Sequence, residues 1–124
     1  MEVTWFSSKE KVGQISLYDS NMTLNMVASV PFEAAYKVQV GMNESGHLVI
    51  EPVSKERFVR GDMDEYQLLP IQFKKSYSRI NSTLLMKKIA AALGVELGKN
   101  PLKYETKWDE ENNVLVILTG KEGK

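Results

Sequence analysis

One stretch, residues 76–94, constrains this chain more than any other. It reads Ser-Tyr-Ser-Arg-Ile-Asn-Ser-Thr-Leu-Leu-Met-Lys-Lys-Ile-Ala-Ala-Ala-Leu-Gly: a short strand, a polar cap, an amphipathic helix and a glycine stop. Asn81 or Ser82 can accept a hydrogen bond from a free N–H of the first helical turn. Residues 84–93 are mostly strong helix formers. Leu85, Ile89 and Leu93 fall four apart and share one face, while Lys87, Lys88 and Ala91 lie on others. Gly94 suits the left-handed residue that ends many helices. A weaker copy of this plan lies upstream, in residues 20–36. Together the two describe a tandem repeat of one small unit.

The rest of each unit reads as strands. Ile15 and Leu17 alternate with Ser16 and Tyr18 in a half-buried strand. A turn at 19–21 follows, then an extended Met22-Thr23-Leu24, with Asn25 as a candidate helix cap. Pro31 cannot sit deep in a helix, so the helix here is either very short or starts at Pro31 and runs to Tyr36. Residues 37–41 and 47–50 form a hairpin around Gly46, and Pro52 is expected to end the second strand. In the second unit, Leu102, Tyr104, Thr106 and Trp108 share one face of a strand. A turn at 109–113 leads to the apolar run 114–118. Residues 119–124 read as a frayed polar tail. Outside the units, residues 3–6 suggest an edge strand and 7–11 a turn, and Trp5 and Phe6 read as core or lid residues. Residues 54–60 suggest a helical turn before Gly61.

This places the chain in a mainly β class with short helices. The reading is one domain over residues 1–124, made of two repeats (14–52 and 73–118) joined by a connector (53–72). Ser20 and Met22 align with Ser78 and Ile80, and Leu48-Val49-Ile50 with Leu115-Val116-Ile117. The offset thus grows from 58 to 67 residues, which asks for insertions near 97–101 and in the second hairpin.

Composition removes several classes of function. With no cysteine among 124 residues, disulfides, thiolate chemistry and zinc–sulfur sites are excluded. No apolar run approaches the roughly 20 residues that cross a bilayer, and residues 1–10 lack a signal-peptide block. The expectation is a cytoplasmic protein without membrane partners. His47 is the only histidine and has no second soft ligand for a metal. The acidic run 62–65 lacks calcium-loop spacing, and no glycine-rich phosphate loop occurs. No catalytic constellation emerges and no cofactor is implied, so the chain reads as a non-enzyme.

Charge is balanced overall, with 16 basic and 16 acidic side chains, but unevenly placed. Residues 73–103 hold seven basic residues (Lys74, Lys75, Arg79, Lys87, Lys88, Lys99, Lys103) against Glu96 alone. Such asymmetry marks either a nucleic-acid face or a solvated helix face and strand edge. Lys and Arg neutralise phosphates and Arg can read guanine. Lys74, Lys75, Arg79, Lys87 and Lys88, with Tyr77 interleaved, are therefore the candidate DNA-binding residues.

The plan resembles the swapped-hairpin transcription factors of the AbrB, SpoVT and MraZ type. Three stretches carry the resemblance: Leu48-Val49-Ile50-Glu51-Pro52, Asn21-Met22-Thr23-Leu24-Asn25, and Ser78-Arg79-Ile80-Asn81-Ser82. It spans roughly residues 14–52 and 73–118, and the MraZ type carries two such units in one chain. The family's Gly-Arg-Ile-Thr-Leu-Pro opening is intact in neither copy, so its DNA-contacting arginine transfers only to Arg79. The resemblance implies a pseudo-twofold swapped-hairpin barrel and a DNA-binding or DNA-binding-derived regulator with double-stranded DNA as partner. The alternative is a protein-interaction or assembly module that keeps the barrel without DNA contact, marked by a homo-oligomer in solution.

Overall fold

The computed structural model describes residues 1–6, 12–61 and 63–120. In the first half, β1 (Gln14–Leu17) turns into β2 (Asn21–Asn25), and Ile15, Leu17, Met22 and Leu24 are all fully buried. Asn25 caps α1 (Met26–Ser29) by accepting from the Ala28 N–H at 3.0 Å. Pro31 falls in the 3-10 turn Val30–Phe32 that follows. Of the two helices open to the sequence, the very short one forms, because Pro31 sits in the first turn of that 3-10 segment, where an N–H is not required. β3 (Lys37–Met42) and β4 (Leu48–Val53) then make a hairpin, with Gly46 at φ 83° in its turn.

Residues 54–71 link the halves. Ser54 caps α2 (Lys55–Arg60), and Gly61 at φ 74° stops it. Beyond a 3-10 turn at Glu65–Gln67 come two strands of two residues each, β5 (Leu68–Leu69) and β6 (Gln72–Phe73). The second half continues with β7 (Tyr77–Asn81), α3 (Thr83–Leu93), β8 (Leu102–Asp109) and β9 (Val114–Ile117). Ser82 caps α3 by accepting from the Leu85 N–H, and Gly94 at φ 69° ends it. The face that α3 buries centres on Met86 and Ile89, with Leu85 and Leu93 on its flanks.

Among the described residues, nine antiparallel strands form one curled sheet in the order β5-β3-β4-β9-β8-β1-β2-β7-β6. Its two edge strands, β5 and β6, are neighbours in the chain, separated only by Pro70 and Ile71. β8 is the hinge of the curl. Its first half pairs with β1 through Leu17↔Leu102 and its second half with β9 through Trp108↔Leu115. The core lies inside the curl and includes Phe32, Val38, Ile50, Ile80 and Ile117, all fully buried. Burying each such side chain contributes about 1.5–3 kcal/mol.

Four expectations are corrected. Residues 3–6 join no strand; Trp5 and Phe6 are 85% and 95% exposed and belong to no core. The turn expected at 7–11 lies outside the described residues. β4 runs through Pro52 to Val53. Leu48 points its N–H toward β9, bonding Thr119 Oγ1, and by alternation Pro52 faces the same way. That ladder stops at Ile50↔Leu115, so Pro52 removes no ladder bond. The tail is not frayed at its start. Thr119 Oγ1 donates to Gly46 O at 2.9 Å, and the Gly120 N–H donates to His47 Nδ1 at 2.7 Å.

The fourth correction concerns the offset between halves. Both run strand, strand, helix, strand, strand. Their opening turns match bond for bond: Tyr18 N–H to Asn21 O, and Lys74 N–H to Tyr77 O, both 2.8 Å. Lys74 follows Tyr18 by 56 positions, not 58. On that offset Gly13 matches Leu69. Gly13 O accepts from the Thr106 N–H and Leu69 pairs with Val38, so Val38 matches Thr106, 68 positions on. The added length lies in α3 and its exit. The β8–β9 turn is shorter than the β3–β4 turn, not longer. There the Asn112 side-chain amide, then its backbone N–H, hold the Asp109 carboxyl below its ordinary pKa.

Candidate nucleic-acid interface

Alternation fixes what the outside of the sheet presents. With Ile15, Leu17, Met22, Leu24, Ser78 and Ile80 facing inward, the residues between them must face out. Pairing then lines them up across strands. Lys103 lies opposite Ser16, Ser16 opposite Thr23, Thr23 opposite Arg79, and Arg79 opposite Gln72. This row crosses five strands and spans roughly 19 Å at 4.7–4.9 Å per strand. A second row beside it runs Glu105, Gln14, Asn25 and Tyr77, with Lys74 at its end. Neither row contains an aliphatic side chain.

Arg79 stands in the first row between Thr23 and Gln72. Its Nη2 donates to Tyr77 Oη at 3.2 Å, and its guanidinium carbon lies 5.5 Å from the Tyr77 ring centroid. The ring steers the guanidinium along the sheet. Arg79 Nε is buried and has no hydrogen-bond partner among the described residues. An unsatisfied buried donor costs about 1–3 kcal/mol, and because Nε has no accessible surface in this conformation, an arriving acceptor meets it only once the Arg79 side chain turns outward. Around it, Asn81 Nδ2 donates to Gln72 Oε1 and Thr23 Oγ1 to Asn21 Oδ1. These hydroxyl and amide groups can offer hydrogen bonds to phosphate or sugar oxygens.

The six residues singled out from sequence do not stay together. Tyr77 and Arg79 are on the outer face. Lys74 and Lys75 are exposed in the β6–β7 turn beside Tyr77 and α1. Lys87 and Lys88 leave with α3. Lys87 lines a groove with Asp19, Ser20 and Lys99, and Lys88 lines a different one with Gln39, Glu51 and Tyr66. The row also recruits Ser16, Thr23, Gln72 and Lys103, which were not among the candidates. The alternation of β1, β2 and β8 carried the signal for their outward direction. Only the β1–β8 and β2–β7 pairings, between distant segments, place them beside Arg79.

Among the described residues, no group of three or more His, Asp or Glu side chains is arranged to hold a metal ion, and no helix is long and apolar enough to cross a membrane. No protein-family model, curated protein or solved structure matches the chain.

Proposed function

We propose that this chain is a non-enzymatic DNA-binding or DNA-binding-derived regulator acting in the cytoplasm. Its two halves are read as a pseudo-twofold swapped-hairpin barrel of the AbrB, SpoVT and MraZ type. Two cross-pairs between halves support the barrel reading. In β2–β7, Thr23 lies opposite Arg79, its own counterpart 56 positions on. In β4–β9, Val49 lies opposite Val116, its own counterpart 67 positions on. A twofold axis through both pairs would exchange the halves.

The observation that carries the DNA reading is the Lys103–Ser16–Thr23–Arg79–Gln72 row, in which Arg79 Nε has no hydrogen-bond partner among the described residues. Lys74 and Lys75 extend the positive charge to its edge. Phosphate contacts release counterions, so binding should weaken steeply with salt. In an electrophoretic shift assay on duplex DNA at low salt, wild type is retained, while Arg79→Ala/Lys74→Ala/Lys75→Ala is not. The salt slope of any residual binding falls by about 0.9 for each phosphate that is no longer neutralised. Lys87→Ala/Lys88→Ala, which alters side chains away from the row, leaves retention near wild type. Equal retention of the triple variant and wild type rejects the reading.

A second reading, a protein-interaction or assembly module, has one observation in its favour. Met26, Val27, Val30 and Phe73 are exposed together beside the β6–β7 turn. Light scattering alongside the shift assay separates the two: an oligomer with no DNA retention selects this one.

A further inference from the structure

The two halves build the same groove twice, and only one copy is covered. Each opening turn lies against the helix of the other half: residues 18–20 against α3, and residues 74–76 against α1. Over the first groove, the chain leaving α3 folds back. Gly98 O accepts from the Asp19 N–H at 3.1 Å, and Leu97 packs against the core. Leu17, the last residue of β1, is wholly buried there.

The second groove lacks this cover. After α1 the chain passes through the 3-10 turn into β3, with no segment like 95–99. Phe73 holds the place of Leu17, 56 positions on, yet is 42% exposed. Met26, Val27 and Val30 lie open beside it. The Lys75 N–H, counterpart of the Asp19 N–H, meets no acceptor among the described residues. Such a groove, apolar at its centre and basic at its rim, matches what an extended segment with apolar side chains and a carboxylate would fill.

Residues 1–6 have that composition. They read Met-Glu-Val-Thr-Trp-Phe, with Val3, Trp5 and Phe6 exposed. Glu2 is opposite in sign to Lys74 and Lys75, against which Glu33 is the one acidic residue lining the groove among the described residues. Arm and groove are both bare in the same chain, so the contact is not made within it. We propose that the N-terminal arm of a second copy fills this groove. Its aromatic side chains take the place that Leu97 has in the covered groove, and one of its carbonyls accepts from the Lys75 N–H. A second copy can return the same contact, so the arms exchange about a twofold axis and the dimer closes. Burying a Trp and a Phe supplies the large anchors that such interfaces depend on. This does not require DNA binding. Where both occur, the arm's Glu2 and a phosphate compete for the same two lysines.

Light scattering on the full chain tests it. Wild type should have the mass of two chains. Trp5→Ala/Phe6→Ala, which removes the arm's anchors, and Val30→Asp, which charges the groove, should each have the mass of one. Mixed in equal amounts, the two variants should form a two-chain species, because one still offers a groove and the other still offers an arm. Circular dichroism checks that each variant is folded, and Met26→Lys repeats the groove test should Val30→Asp not fold. A wild type with the mass of one chain overturns the proposal. So does a dimer that both variants leave intact, or a pair of variants that stay apart when mixed.

Discussion

The two halves agree where they face the core and part where they face out. Ile15 and Ile71, and Leu24 and Ile80, are counterparts at 56 positions and all apolar. On the outside, Tyr18-Asp19 stands against Lys74-Lys75, and Thr23 against Arg79. Burial holds a position to one chemistry, because a charge left unpaired inside costs several kcal/mol. Exposure leaves it open to change. One half can therefore acquire a charged face while the other remains as scaffold. Ser78 is the exception inside: its counterpart is Met22, yet it is fully buried. Its Oγ lies 2.7 Å from Ser29 Oγ of α1, so the polar group is satisfied by the helix of the other half.

The comparison breaks most visibly if the halves unfold separately. Phe32, from the first half, is fully buried and meets Trp108 of the second edge to face, with ring centroids 6.5 Å apart. Phe32→Ala should cost about 3–5 kcal/mol. Because the ring is shared, fluorescence and circular dichroism should report one denaturant transition, moved to lower concentration. Two transitions would mean that each half has its own core.

A smaller effect sharpens the link between α1 and β7. Ser29 Oγ reaches Leu24 O and Asn25 O as well as Ser78 Oγ. Ser29→Ala strands the Ser78 hydroxyl and should cost about 1–3 kcal/mol. Ser78→Ala should cost less, since Ser29 keeps both carbonyls. The double variant should cost less than the sum, because nothing is then stranded. Strict additivity in a double-mutant cycle would remove this contact as the reason a serine is buried there.

How far the sequence was legible follows the same division. α3 could be read residue by residue, because its cap, its Leu and Ile spacing and Gly94 are all local. The offset between halves could not. A strand shifted by two residues keeps every side chain on its own face, so alignments at 58 and at 56 have the same inward and outward pattern. Only the paired bonds of the two turns decide. The candidate site fails in a similar way. Lys87 and Lys88 are close to Arg79 in sequence, but the turn at Ser82 sends them off with the helix. Lys103 is far away in sequence, and the β1–β8 ladder brings it into the row. Residues 3–6 have the composition of a strand but join no ladder among the described residues.

The finest contrast lies in the two helix caps. Ser82 does one thing: its Oγ accepts from the Leu85 N–H at 3.1 Å. Asn25 does three. Its Oδ1 accepts from the Ala28 N–H and the Gln14 N–H, and its Nδ2 donates to Val12 O, each at 3.0 Å. It thus caps a helix of four residues while tying the start of β1 to the end of β2. Losing a cap alone costs about 0.5–2 kcal/mol. On helix length, Ser82→Ala should be the worse change, because α3 has eleven residues to lose. On bonds, Asn25→Ala should be worse, since it also leaves the Gln14 N–H and Val12 O without partners. We expect the bonds to decide, with Asn25→Ala exceeding Ser82→Ala in chemical denaturation. Asn25→Asp should fall between wild type and Asn25→Ala, because it keeps both acceptor roles and loses only the bond to Val12 O. If Ser82→Ala proves the more damaging, the short helix contributes little, and the first half is held by its strands alone.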